Sequence, residues 1–199
     1  VATSAPAGRQ IASWVVVTQA ILLVVMLATG FGLGIVSRRT AEPTSGGTSN
    51  QPVTLTGRIT YGTSGGTQFP DDGAVVLAVP SSQRPAVDEK LAYEGLRPSD
   101  LPPDARHPAL ERLRVLGGAY ARAEPNGEFR LALPRGGAYY VLIVSNHGTR
   151  RAQTVPNKSD LAQLGRYVTM ANELIGDRRY RWRLEELTGP RRIEELLPY

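Results

Sequence analysis

Three short apolar-rich runs, at 119–123, 128–133 and 138–144, stand close together and are separated by Pro-Asn-Gly at 125–127 and Pro-Arg-Gly-Gly at 134–137. The pattern predicts a three-stranded antiparallel meander. Asn126-Gly127 is expected to supply the positive φ angles of a tight hairpin turn, and Pro134 with Gly136-Gly137 to end one strand before the next begins. Phe129, Leu131 and Leu133 share one face of the middle run and Glu128, Arg130 and Ala132 the other, so one face is expected to be core and the other mostly solvent. Core positions predicted from the pattern are Phe129, Leu131, Tyr139, Val141 and Ile143.

Upstream, residues 55–61 and 73–79 also read as strands, joined through a Gly/Ser/Thr-rich loop. A different pattern fills 11–37, where no charged residue occurs between Arg9 and Arg38. A helix needs about 20 apolar residues to cross a bilayer core, so this stretch is predicted to be a transmembrane helix, with Trp14 as an interfacial anchor and Arg38-Arg39 at the headgroups. The alternative is a cleaved signal peptide, whose apolar region would run only about 7–15 residues. Gly30 and Gly34 stand four apart, the small-residue spacing that lets two helices pack closely and dimerise; the other reading is the ordinary abundance of glycine in membrane helices.

The succession Asn126-Gly127, Glu128-Phe129-Arg130-Leu131, Leu133-Pro134-Arg135-Gly136 and the Tyr139-Tyr140 strand resembles the carboxypeptidase regulatory-like domain. Gly57-Arg58-Ile59 and Gly73-Ala74-Val75-Val76 match the strands of that family's first half, so the resemblance covers roughly residues 53–147, with an interruption. It implies a transthyretin-like fold: mainly β, an antiparallel Greek-key β-sandwich with a few short helices, here preceded by one transmembrane α-helix. It also implies a non-catalytic accessory or binding module working outside the cytoplasm. The arginines flanking the apolar helix point weakly the other way by the positive-inside rule; the outside placement is the expectation carried forward.

The expected organisation is an N-terminal flank at 1–10, the membrane helix at 11–37, a flexible linker at 38–52 and the β-sandwich at 53–199, with an insertion at 81–118 and a C-terminal extension at 156–199. Within the insertion, helical spacing occurs at 88–96 and again at 108–116, where Leu110, Leu113 and Leu116 recur, Pro108 opens and Gly117-Gly118 closes. So long an interruption makes it the first place to seek a private binding surface. In the extension, Asn157 and its neighbours read as the cap of a helix at about 160–171, with Leu161, Leu164 and Val168 on one face. Strict alternation follows, predicting Tyr180, Trp182 and Leu184 inward and Arg179, Arg181 and Arg183 outward, with a further strand near 192–196.

The net charge of +5 rests on arginine, since Lys90 and Lys158 are the only lysines. The stripe Arg179, Arg181 and Arg183 is a candidate surface for an anionic partner; its competitor is an edge strand guarded by charge and balanced by Glu185, Glu186, Glu194 and Glu195. No nucleic-acid motif accompanies it, so no nucleic-acid partner is expected. The absence of cysteine excludes disulfides and thiolate metal sites. His107 and His147 lack ligands at metal spacing, and Asp71-Asp72-Gly73 reads as a turn. Gly62-Thr63-Ser64-Gly65-Gly66 matches a nucleophile elbow in letters, but another strand follows where the elbow needs a helix. No catalytic residue, cofactor site or metal site is expected. The expected partners are the membrane and a protein or envelope component; the alternative role is a single-pass subunit of a signalling or transport complex, packing through Gly30 and Gly34.

Overall fold

The computed structural model describes residues 50–151 and 153–198. The expected membrane helix with Gly30 and Gly34, and most of the linker, lie outside the described residues. Among the described residues no helix is long and apolar enough to cross a membrane.

In order, the elements are β1 (Val53–Gly62), β2 (Gln68–Pro70), β3 (Val75–Pro80), α1 (Pro108–Val115), β4 (Ala119–Arg122), β5 (Glu128–Leu133), β6 (Gly137–Thr149), α2 (Lys158–Leu164), α3 (Ala171–Ile175), β7 (Arg178–Leu187) and β8 (Arg191–Leu197). They form two four-stranded sheets. In the first, β1 is central: β8 runs along one edge in parallel, while β5 and then β2 pair antiparallel with its opposite edge. The second sheet, in the order β4-β3-β6-β7, is antiparallel throughout. The expected all-antiparallel sandwich is therefore mixed, because the chain crosses from β7 in the second sheet to the first and lays β8 alongside β1 in parallel. Gly57 makes that approach feasible: a Cβ there would collide with the Ile193 carbonyl and come within 2.8 Å of the Phe129 ring.

The meander is not formed. β4 and β6 belong to the second sheet and β5 to the first, so the chain arches across the sandwich twice. The turn itself is tight, with Gly127 N–H donating to Glu124 O at 2.7 Å and Glu124 N–H to Glu128 O at 2.7 Å. Only Gly127, at φ 80°, takes the left-handed conformation; Asn126 does not. Asn126 instead accepts from Glu128 N–H through Oδ1 at 2.9 Å. The Gly127 carbonyl then accepts from Ile59 N–H at 2.9 Å, which commits β5 to β1 and the other sheet.

Between the sheets lies a core of Leu55, Ile59, Val76, Phe129, Leu131, Tyr139, Val141, Ile143, Leu187 and Ile193 among others, which includes every core position predicted from the pattern. β5 alternates as expected, with Phe129, Leu131 and Leu133 buried and Glu128, Arg130 and Ala132 exposed. Replacing Phe129 by alanine is expected to cost about 3 kcal/mol, near the low end for a buried aromatic because Ile193 can relax toward the space. Chemical denaturation measures it; a loss below about 1 kcal/mol would show that the ring is not part of the core.

The second sheet is buried on both faces. Its outer face carries a second core of Leu77, Val79, Leu142, Val144 and Trp182, packed beneath Leu91, Leu96 and Leu113 of the insertion and Leu164, Tyr167, Leu174 and Ile175 of the extension. The unbroken apolar runs of β3 and β6 follow from this, since neither side of those strands meets water.

Two expected helices change in this layer. The stretch 88–96 makes only a 3₁₀ turn, Val87–Glu89, because Leu91 N–H donates to Tyr167 O and Thr169 N–H to Leu91 O, both at 2.8 Å. That bridge between Leu91 and Val168 also ends the expected helix of the extension early, as α2, capped by Asn157 Oδ1 accepting from Ser159 N–H. The helix at 108–116 forms as predicted, with Pro108 in its first turn and Gly117 at φ 78° after its end.

Candidate functional site

The most demanding polar assembly sits where β6 is irregular, between Val144 and Thr149. Asp71, which follows β2, is fully buried. Its carboxylate accepts from Ser145 Oγ and from the backbone N–H groups of Asn146 and His147, both at 3.1 Å. Ser145 Oγ in turn accepts from Gly148 N–H at 2.6 Å. Asp71 N–H donates to Ile59 O at 3.0 Å, so one residue ties β1, β2 and the bulge of β6 together. The residue types are those of a hydrolytic triad, but the arrangement is different. The His147 ring stacks on Tyr61 at 5.2 Å, and Tyr61 contacts Phe69 at 5.9 Å. Asp71 reaches His147 only through its backbone. The serine hydroxyl is occupied as both donor and acceptor, which makes the group a clamp. The expected turn forms, with Ala74 N–H donating to Asp71 O at 3.1 Å, but nothing in a turn requires the burial of Asp71; the available signal is a carboxylate two residues before Gly73 and just ahead of the apolar run of β3.

Glycine 62 to glycine 66 forms the loop between β1 and β2, closed by Thr63 N–H to Thr67 O at 3.0 Å and Gly66 N–H to Thr63 O at 3.0 Å, with Ser64 exposed. No helix follows it.

The arginine stripe lies on β7 and is partnered within the fold. The face of β7 that carries Arg181, Arg183, Glu185 and Leu187 is turned toward the gap between the sheets, and Trp182 faces the outer helical layer. The expected polarity is thus reversed in part: Trp182 is buried, against Tyr140 at 5.1 Å and with Nε1–H donating to Gln163 Oε1 at 3.0 Å, but Leu184 is 54% exposed. Opposite, on β8, Glu195 is buried and meets Arg181 at 2.9 Å and Arg183 at 3.0 Å. Glu185, also buried, meets Arg183 and, at 3.0 Å, Arg191. Arg179 bonds the carbonyls of Thr149, Gly62, Leu197 and Pro198. The stripe therefore fastens β7 to β8, and much of its charge is neutralised within the fold. These side-chain bonds between the edge strands of the two sheets close this flank of the sandwich.

The insertion is held by its own charges. Asp100 accepts from Gly95 N–H at 2.8 Å and pairs with Arg97 at 2.8 Å. Burial pushes its carboxyl upward, but the Arg97 guanidinium and the amides of Arg97 and Gly95 outweigh that and hold it below the usual carboxylate range. Arg122 of β4 donates to the carbonyls of Arg97, Pro98 and Asp100 at 2.6–3.2 Å, and its Nε to Tyr120 Oη at 2.9 Å. Burial raises the Tyr120 hydroxyl above its ordinary value. Open hollows mark the surface: one of about 420 Å³ lies on the insertion against Pro85, Val115 and Leu116. Among the described residues no group of three His, Asp or Glu side chains is placed to hold a metal ion.

No protein-family model and no curated protein matches the chain. Two solved structures share low similarity. One, from Pseudomonas aeruginosa and described as a candidate carbohydrate-binding protein, is 15% identical, with 77% of this chain and 92% of that one covered and a TM-score of 0.38. The other, the minor pilin of Streptococcus agalactiae, is 11% identical over 75% of this chain, which spans 45% of that chain, with a TM-score of 0.36. The two-sheet architecture rests on the strand pairing itself.

Proposed function

We propose that the chain is a non-catalytic β-sandwich module, held at a membrane by residues 11–37, which binds a protein or cell-envelope component outside the cytoplasm. The observation that carries this reading is where the polar chemistry goes. Asp71 and Ser145 are consumed in the β6 clamp, and Glu185 and Glu195 in the β7–β8 fastening. The resemblance to the carboxypeptidase regulatory-like domain supports the same reading through Gly127, Phe129 and the strands at β1 and β3. The layer built from the insertion and the extension departs from that family, and a module with its own partner is where such a layer belongs.

The chain has no cysteine, so a single Ser64→Cys substitution in the exposed β1–β2 loop reports topology. A membrane-impermeant maleimide is expected to label it in intact cells. Labelling only after lysis would place the sandwich in the cytoplasm and overturn the reading. The spacing of Gly30 and Gly34 favours a second role, a subunit whose helix packs against a partner helix. For that role, Gly30→Ile with Gly34→Ile would lower the mass of the detergent-solubilised species; an unchanged mass counts against it.

A further inference from the structure

The two flanks of the sandwich are finished differently. On one flank β7 and β8 carry Arg181, Arg183, Glu185, Arg191, Arg192, Glu194 and Glu195, the charged guard that keeps sheet edges from pairing with other chains. On the other flank the sheets end in β4 and β5, shorter strands that carry Arg122, Glu128 and Arg130 beside Ala119, Tyr120, Ala121 and Ala132.

The ladder fixes which backbone groups of β5 are free. Ile59 N–H donates to the Gly127 carbonyl, and the register continues as Gly57 opposite Phe129, Leu55 opposite Leu131 and Val53 opposite Leu133. In an antiparallel pair, bonded and non-bonded positions alternate, so Phe129, Leu131 and Leu133 turn their N–H and C=O groups to β1. Those of Glu128, Arg130 and Ala132 point away from it. The Glu128 groups are used within the turn, by Asn126 Oδ1 and Glu124 N–H. The outward N–H and C=O groups of Arg130 and Ala132 have no partner among the described residues. They border a hollow of about 320 Å³ whose other walls are Leu110, Leu113 and Arg114 of α1 and Gly118, Ala119 and Tyr120. The residues around this hollow include Arg114 and Arg130 and no carboxylate. The Arg130 guanidinium has no hydrogen bond or ion pair among the described residues, and both arginines are exposed.

We infer that β5 is a docking edge: an extended segment of a partner protein adds to the first sheet through Arg130 and Ala132 and sets an apolar side chain in the hollow, with an acidic side chain against Arg114 and Arg130. Main-chain bonds supply the pairing and the hollow with its arginines supplies selectivity. The charge pattern chooses an acidic occupant over a basic one. It also disfavours a second copy of this chain, whose own Arg130 would face Arg130 across an antiparallel pair.

The test uses the full chain in detergent and two fluorescein-labelled peptides, Thr-Val-Glu-Val-Glu-Val-Thr and its counterpart with lysine in place of glutamate, read by anisotropy. The acidic peptide is expected to bind at least about tenfold more tightly than the basic one at low salt, and the difference to shrink as salt screens the arginines. Ala132→Pro removes an outward N–H while leaving the bonds to β1 intact, and is expected to weaken binding by about tenfold or more. Arg114→Glu with Arg130→Glu leaves the backbone untouched, so it serves even if the proline variant fails to fold, and is expected to reverse the peptide preference. Equal binding of the two peptides, or binding indifferent to both variants, would overturn the inference. Self-association of the unmodified chain that Ala132→Pro abolishes would assign the edge to a second copy and overturn it as well.

Discussion

A chain ending at Asp177 is expected not to fold to the native sandwich. The segment it lacks looks like an appendage, because the family resemblance stops near residue 147, yet its strands enter both cores. Trp182 closes the outer core beside Tyr140, while Leu187, Ile193 and Leu197 are buried in the inner one. Burial of each such side chain contributes about 1.5–3 kcal/mol, and a domain's whole stability is only about 5–15 kcal/mol. Loss of β8 also exposes one edge of β1 along seven residue pairs, from Leu55 to Tyr61. Circular dichroism of the truncated chain should show no cooperative melt, and light scattering should show association through the uncovered apolar surface. A monomer melting at the temperature of the intact chain would reduce β7 and β8 to an accessory.

Replacement of Asp71 by alanine is expected to cost about 3–5 kcal/mol, with three donors losing their acceptor at once and each stranded donor worth about 1–3 kcal/mol. The donors are Ser145 Oγ–H and the N–H groups of Asn146 and His147; Asp71 and Ser145 are fully buried, while Asn146 is half-buried and His147 exposed, which keeps the loss below the sum of three stranded donors. Asp71→Asn keeps one carbonyl oxygen for the two backbone donors, and Ser145 can rotate its hydroxyl, so a loss of about 1–2 kcal/mol is expected. Urea unfolding of both variants measures the difference. Equal losses would mean that packing and not hydrogen bonding dominates at this position, and a loss under about 1 kcal/mol for the alanine variant would remove the clamp from the account.

The alternation of β5 was legible because its period is local and one of its faces meets water. The helix α1 was legible for a similar reason: Pro108 and Gly117 mark its ends in the chain itself. Trp182 was legible as buried, but the side it faces was not. Alternation states that Trp182 and Arg183 point apart; it does not state which of two buried faces each one meets. Glu195 decides that, since it stands 12 residues from Arg183 and comes to it only when β8 lies beside β1.

The candidate site was less legible. The turn at Asp71-Asp72-Gly73 is local and forms as expected, whereas the side-chain partners of Asp71, at Ser145, Asn146 and His147, are more than 70 residues away. The arginine stripe was visible as a pattern, while its neutralisation depended on carboxylates carried in by another strand.

By itself the sequence determined the strands and turns of a mainly β domain, the positions of Phe129, Leu131 and Leu133 on one face, the cap at Asn157 and the glycine demanded at residue 127. These follow from dihedral preferences and from side-chain periods of two or 3.6, which neighbours in the chain settle among themselves. Only the tertiary structure decided that β4, β5 and β6 divide between two sheets, that Leu91 bonds to Tyr167 and Thr169 where longer helices were expected, and that Glu185 and Glu195 lie buried among arginines. Those outcomes depend on hydrogen-bond and charge partners distant in sequence, whose pairing becomes favourable once burial has removed competing water.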